Sequence, residues 1–177
     1  MKKINKLSLI LAVSCIALVL SASNSYAQGR FSVGPEIALP MGSFGDIVNL
    51  GIGGSVRYEA NIKDQLNWTA TAGFLSYSWK DAVTGGASIS STMIPIQGGV
   101  KYYVNESFNG FYLNGSLGFT VTTTSAAGYS GSLSTTNFSL APGVGYHLAN
   151  IDIGAAFQVV SDANYLSFRA AYVFGGK

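Results

Sequence analysis

The feature that most restricts the fold of this chain is a period-two alternation of apolar residues, which starts at Phe31 and continues almost to the C-terminus. In the first segment Phe31, Val33 and Leu39 share one face, whereas Ser32 and Glu36 share the other. No helical period of any length interrupts the pattern, so it predicts β-strands with two unlike faces. Eight segments show this alternation: 31–39, 50–62, 66–74, 94–104, 111–121, 138–148, 151–159 and 166–174.

The composition of the two faces indicates which one contacts lipid. One face is bulky and apolar, and the other carries mostly Gly, Ser, Ala, Asn and Thr, in a chain with only 10% charged residues. A water-facing surface needs many more charged groups than this second face offers, and strands in lipid must close into a barrel to pair their backbone groups. The sequence therefore predicts an all-β domain over residues 28–177, an eight-stranded antiparallel up-and-down transmembrane β-barrel. A soluble periplasmic β-barrel that binds a ligand remains the alternative.

The connections between the segments support this architecture, because long and short connections alternate. The long or polar connections cover 40–49, 80–91, 125–136 and a shorter 161–164, and the tight turns cover 63–65, 105–107 and 149–150. Outer-membrane barrels have long external loops and short periplasmic turns, which would place both termini in the periplasm. The Gly-, Ser- and Thr-rich stretch 125–136 reads as a hydrated external loop. Aromatic residues near strand ends are expected to form interfacial girdles: Phe31, Tyr58, Trp68, Tyr102, Phe111, Tyr146, Tyr172 and Phe174.

The first 27 residues read as an export signal. A basic segment ending at Lys6 precedes an apolar stretch, 7–20, and a polar segment that closes on Ser25-Tyr26-Ala27. This order is typical of a secretory signal peptide, with cleavage expected after Ala27. A membrane anchor would need about 20 apolar residues, and a lipoprotein signal around Cys15 would end the apolar stretch at the cysteine rather than continue past it. Export and an outer-membrane location are therefore expected, with those two readings as alternatives.

Six charged residues fall on the inward faces of the predicted strands. The interior of an eight-stranded barrel is only wide enough for side chains, so charges there must be paired or hydrogen-bonded. We expect a structural ion-pair network, and the functional alternative is a gate or a path for protons or solutes. The predicted members are Glu36, Arg57, Glu59, Lys101, Asp152 and Arg169.

The sequence offers little for catalysis or for cofactors. His147 is the only histidine, and its inward position beside a predicted turn favours a hydrogen-bonded structural role over that of a general base. No set of residues has the spacing of a metal site or a dinucleotide loop, so neither a metal nor another cofactor is expected. Without the signal segment, seven basic residues oppose eight acidic ones, so a basic patch for nucleic acid is not expected.

Two stretches resemble a known family. Leu-Pro-Met-Gly-Ser-Phe-Gly-Asp at 39–46, followed by 51–59, resembles the opening hairpin of small outer-membrane β-barrels of the porin-like or OmpA type in Bacteroidetes. Residues 94–103 resemble their fourth strand, and Tyr172-Val173-Phe174 resembles the C-terminal signal that the outer-membrane assembly machinery reads. Arg169 stands where that signal usually has glycine, and three residues follow it.

This resemblance implies a barrel in contact with outer-membrane lipid and with the assembly machinery. It assigns no chemistry, and the ligand of the external loops stays unknown. We expect a structural or cell-surface interaction role without catalysis. The alternatives are a narrow channel for ions or small solutes and an enzyme that acts on envelope lipid.

Overall fold

Eight antiparallel strands close into one barrel in the computed structural model, which describes residues 29–105, 108–127 and 131–175. Each strand pairs with its neighbours in sequence, and the last strand pairs with the first. The predicted fold class, an eight-stranded up-and-down barrel, is confirmed. The predicted signal peptide lies outside the described residues. The strands are β1 (Arg30–Pro40), β2 (Gly51–Lys63), β3 (Leu66–Ser78), β4 (Ile89–Tyr103), β5 (Gly110–Ala126), β6 (Ser132–Leu148), β7 (Ile151–Val160) and β8 (Tyr165–Phe174).

The alternation in the sequence sorts the side chains between the outside and the inside of the barrel. Large apolar residues such as Ile52, Ile96 and Leu117 are more than half exposed on the outer wall. Their neighbours in the chain point inward, and polar ones such as Gln97 and Ser139 are buried there. The barrel is thus apolar outside and polar over much of its inside, the reverse of a water-soluble barrel.

Short turns join the strands at one end of the barrel, which we name the turn end, and longer connections join them at the other, the loop end. Asp64 and Ala149 adopt positive φ in two of the turns, at φ 48° and 51°, where the chain reverses within two residues. Both turns lie where the sequence places them. The third predicted turn, 105–107, lies partly outside the described residues.

Four consecutive strands extend past the others at the loop end, and this corrects two predicted loops. β5 and β6 stay paired out to Ser125 opposite Ser132, so most of the predicted loop 125–136 is strand. β4 begins at Ile89, inside the predicted loop 80–91, and pairs with β3 as far as Ser78. The prediction is wrong because it treats Ser and Thr as loop residues, although threonine is β-branched and favours strands. We name the protruding part of β3 to β6 the wall.

Two short helices lie in the loop-end connections: α1 (Ser43–Ile47) between β1 and β2, and α2 (Asp81–Thr84) between β3 and β4. They have five and four residues, and the part of the chain that the structure describes contains no membrane-spanning helix.

The aromatic residues predicted to form girdles all lie on the outer face of the barrel near the turn end, so they form one girdle. Neighbouring rings are in contact, with centroids 4.7 Å apart for Phe31 and Tyr58 and 5.1 Å apart for Tyr58 and Trp68. Phenylalanines lie on the outer wall about eight residues further along the strands, where Phe119 and Phe138 face each other across β5 and β6. Eight residues of a strand tilted by about 40° rise about 20 Å. The distance between the girdle and these phenylalanines is therefore close to the apolar height of a membrane barrel.

Candidate functional site

A buried lysine forms the centre of a charged cluster inside the barrel. Lys101 on β4 is fully buried, and its Nζ lies 3.1 Å from Glu59 Oε2 and also donates to Asp152 Oδ2. The Tyr112 ring lies beneath the ammonium, 3.8 Å from its centroid, and the Tyr112 hydroxyl donates to Asp152 Oδ1 at 2.7 Å. Both carboxylates and the cation therefore have partners, as buried charges require.

Arg30 extends this cluster toward the turn end and was not among the predicted members. Its Nη2 lies 2.7 Å from Glu59 Oε1, which also accepts hydrogen bonds from the Tyr103 hydroxyl at 2.9 Å and from Asn67 Nδ2 at 2.5 Å. The prediction missed Arg30 because it precedes the first apolar residue of the pattern. Arg30 lies two residues before Ser32, so the period-two alternation places it on the same inward face as Ser32 and Glu36.

The other predicted members lie further from the turn end, where their partners are hydroxyl groups as well as a charged group. Arg169 Nε donates to Ser55 Oγ at 2.8 Å, and Arg169 Nη1 lies 3.8 Å from Asp152 Oδ1. Glu36 accepts a hydrogen bond from the same Ser55 hydroxyl at 2.8 Å, and Arg57 donates to a threonine hydroxyl. The structure thus joins four predicted residues through ion pairs, whereas Glu36 and Arg57 bond to hydroxyl groups. The ion-paired four are Glu59, Lys101, Asp152 and Arg169.

His147 lies beside this cluster at the turn end, where it is buried. Its Nδ1 lies 2.9 Å from the carbonyl oxygen of Phe108, its shortest polar contact, and a carbonyl only accepts, so we assign the proton to Nδ1. The Tyr103 hydroxyl lies 3.3 Å from the same nitrogen, and Arg30 Nη1, at the same distance, is a neighbour that cannot donate to it while Nδ1 carries the proton. His147 is therefore held by the interior network and does not reach the lipid-facing wall. Nowhere in the described ranges do three His, Cys, Asp or Glu side chains group as a metal site.

An apolar cluster fills the interior at the loop end. Phe44 and Val48, in and beside α1, point into the barrel and pack on Tyr77, whose ring centroid is 5.2 Å from that of Phe44. Lys80 Nζ donates to the carbonyl oxygen of Gly45 at 2.6 Å and ties α1 to the connection after β3. We name this cluster the plug. Its described buried members are Ala38, Phe44, Val48, Leu75, Tyr77, Met93, Val160, Ala163 and Tyr165.

The plug corrects the prediction that 40–49 is a polar external loop and that the inward face is small. Phe44, Ile47 and Val48 have the i, i+3, i+4 spacing of one helical face, which is the signal in the sequence for a short helix at this point. The large inward residues Leu75 and Tyr77 lie beyond the predicted end of the third strand, and Tyr165 lies just before the predicted start of the eighth.

A small polar cavity separates the plug from the charged cluster. Its volume is about 30 Å³, room for a few water molecules, and its lining includes Glu36, Arg57, Gln97, Asp152 and Arg169. Side chains therefore occupy the described lumen both above and below this cavity.

Comparison with known proteins agrees with this geometry. Residues 8–173 match the model of the family described as the outer membrane protein beta-barrel domain. A search of curated proteins gives no match.

Among solved structures, Ail, the attachment invasion locus protein of Yersinia pestis, aligns with a TM-score of 0.61 and 15% identity, over 85% of this chain and 100% of Ail. OprG from Pseudomonas aeruginosa aligns with a TM-score of 0.54 and 12% identity, over 86% of this chain and 99% of OprG. The N-terminal barrel domain of OprF from the same species aligns with a TM-score of 0.53 and 12% identity, over 84% of this chain and 99% of that domain.

At these identities the three structures support the fold alone, whereas the family match covers nearly the whole chain. The comparisons do not attribute the chain to Bacteroidetes, so that part of the resemblance stays a prediction. The chain belongs to the outer membrane protein beta-barrel domain family, and it is a β-barrel protein of the bacterial outer membrane.

Proposed function

We propose that this barrel does not conduct solutes and that it acts at the cell surface, through the wall at its loop end. The observation that carries the proposal is the free edge of β6. β7 ends at Val160, opposite Ser139, so residues 132–138 of β6 extend beyond their neighbour on that side. On the other side the same residues are paired with β5 throughout. Among the described residues, the wall therefore ends in a strand whose backbone has no neighbouring strand on one side.

A free strand edge is a template for another strand. Its unpaired N–H and C=O groups form main-chain hydrogen bonds with an extended segment of a partner, and this is a common mode of peptide recognition. Proteins that avoid such pairing place lysine or proline on the edge. The edge here reads Ser-Leu-Ser-Thr-Thr-Asn-Phe, with neither residue, and Leu133 is 80% exposed. The partner class that fits is an extended protein segment without strong charge.

The charges at the loop end argue against a polyanion as the partner. Ail is known in complex with the heparin analogue sucrose octasulfate. In this chain the loop-end connections contain one basic residue, Lys80, whose ammonium is bonded to the backbone of Gly45. Three acidic residues, Asp46, Asp81 and Asp162, accompany it. Sulfated or phosphorylated ligands need clustered cations, so we do not extend that ligand class to this protein.

The proposal assigns no catalytic step to the chain. His147 is buried in the interior and bonded to a backbone carbonyl, so it does not face a substrate at the wall or in the membrane. We also propose that lipid covers the apolar outer face. The assembly machinery, in this proposal, recognises Tyr172 and Phe174, which lie exposed on the outer face of the strand that closes the barrel against β1.

A labelled peptide tests the edge. The peptide has the sequence of residues 119–126, Phe-Thr-Val-Thr-Thr-Thr-Ser-Ala, an uncharged strand segment that in the barrel pairs with the opposite side of β6. We expect the folded barrel in nanodiscs to bind it in fluorescence anisotropy. The double variant Ser132→Lys, Ser134→Lys places charge on the edge strand and is expected to weaken binding at least tenfold.

The matched control carries the same two charges on inner strands, as Ser76→Lys and Ser90→Lys, and all four serines are exposed on the outer face. The control is expected to bind within about twofold of the wild type. No binding by the wild type, or an equal loss in both variants, would contradict strand addition at β6.

A further inference from the structure

The outer face of the wall carries an ordered array of hydroxyl groups. Ser76, Thr92, Thr123 and Ser134 lie directly opposite one another across the four strands. Two residues further toward the loop end, a second row repeats this arrangement. We name these eight residues the hydroxyl grid. The second row consists of Ser78, Ser90, Ser125 and Ser132.

The grid lies where the apolar outer face stops. On β3, β4 and β5 the outward residue just before the grid is large and apolar, namely Phe74, Ile94 and Val121. Thr123 is twelve residues from Phe111 in the girdle, which is about 30 Å along the axis of a barrel with strands tilted by about 40°. The apolar band of a membrane barrel is about 25 Å tall, so the grid lies at the level of the headgroups.

The chemistry of the grid differs from that of a phosphate site. Each hydroxyl both donates and accepts, and none of the eight side chains is charged. Within the described hydrogen bonds, Thr123 bonds to Ser134 at 3.4 Å, and Ser78 accepts from Asn49 at 3.3 Å. Strands are about 4.8 Å apart and alternate residues about 7 Å apart, so the two rows form a regularly spaced lattice on the curved surface of the barrel. Such a surface suits neutral sugars, whose hydroxyls also donate and accept, and it lacks the cations that phosphate groups require.

We propose that the hydroxyl grid binds the neutral sugars of glycolipid headgroups in the outer leaflet. This inference rests on the proposed function, because it needs the wall to lie on the external side of the outer membrane. The grid continues the membrane-facing surface of the same four strands, so the molecules beside it are the headgroups of the lipids that cover the apolar band. The sugars of those headgroups bridge the two rows through hydrogen bonds and hold the glycolipid against β3 to β6.

The test compares two pairs of threonines on opposite faces of the wall. Thr92→Val with Thr123→Val removes two hydroxyls from the grid and keeps the shape and the β-branching of each residue. Thr122→Val with Thr135→Val removes two hydroxyls from the inward face of β5 and β6. Each protein is refolded with rough lipopolysaccharide and phosphatidylethanolamine, re-isolated in mild detergent, and analysed by native mass spectrometry for bound glycolipid.

We expect the wild type and the inward-face control to retain glycolipid equally and the grid variant to retain at least threefold less. Dephosphorylated lipopolysaccharide should be retained as well as the intact form, whereas retention of phosphatidylethanolamine, whose headgroup has no sugar, should not differ between the wild type and the variants. Equal retention of glycolipid by the grid variant and the wild type, or retention that follows the phosphates, would overturn the proposal.

The experiments distinguish a failure of the proposal that the hydroxyl grid binds sugars from a failure of the proposed function at the β6 edge. Peptide binding at the β6 edge is measured on the same preparations and does not depend on glycolipid. A barrel that binds the peptide and retains no glycolipid overturns the grid alone, whereas a barrel that fails to bind the peptide overturns the edge.

Discussion

Lys101 is the residue on which the interior charges depend most. It is fully buried and lies between Glu59 and Asp152, with the Tyr112 ring against its ammonium. A buried ion pair adds little net stability compared with apolar residues of the same size. Loss of one partner is different, because the remaining charges then stay buried without compensation, which costs about 3–5 kcal/mol. Removal of Lys101 would leave two carboxylates near each other in the interior.

The variant Lys101→Met tests this dependence. We expect the free energy of unfolding to fall by about 3 kcal/mol or more, since methionine fills the space without the charge. Urea unfolding in lipid vesicles, followed by the fluorescence of Trp68 and Trp79, measures it. Lys63→Met at the exposed end of β2 is the control and should leave the unfolding midpoint unchanged. Equal midpoints for both variants would show that the cluster does not support the fold.

At the scale of elements, α1 and its flanks act as part of the core. Phe44 and Val48 enter the barrel and pack on Tyr77, and Lys80 holds α1 through the carbonyl oxygen of Gly45. Buried aromatic side chains contribute most of the packing at such a site. The loop-end connection after β1 is thus expected to be as stable as the strands it joins.

Substitution of Phe44 tests the plug. Phe44→Ala deletes a nearly buried ring, and such changes cost about 3–5 kcal/mol when the cavity cannot collapse. We expect a loss near the lower value, because the ring lies at the mouth of the barrel. Met41→Ala, in the same connection but 45% exposed, should change the free energy of unfolding little. If denaturant unfolding does not separate these two variants, the plug is not part of the folded core.

The sequence predicts the strands well and the loop end poorly, for a physical reason. Alternation marks strands with one apolar and one polar face, so strand order, faces and tight turns follow from it wherever the outer face is apolar. In the wall Thr123 and Ser134 replace the outward apolar residues that mark a strand. The contact between Phe44 and Tyr77 joins distant elements, so the helical spacing of Phe44, Ile47 and Val48 can indicate a helix but not its entry into the barrel. Arg30 was missed because it lies just before the pattern begins.

At the scale of the whole molecule, two layers of side chains fill the lumen. The plug occupies the loop end, the cluster around Lys101 occupies the half toward the turn end, and the cavity between them has a volume of only about 30 Å³. Small eight-stranded barrels have interiors just wide enough for side chains, and here large ones are used, including four fully buried tyrosines. The plug and the cluster around Lys101 therefore both stand across the path that a narrow channel would need, and for this reason we place the proposed function at the outer surface and the wall.

Single-channel recording in planar bilayers tests this account most directly. Protein that has inserted, as shown by a shift in gel mobility between unboiled and boiled samples of the same vesicles, is expected to give no steps of current above the protein-free bilayer. Stable and reproducible conductance steps from inserted protein would contradict it, because ions would then cross both the plug and the charged cluster.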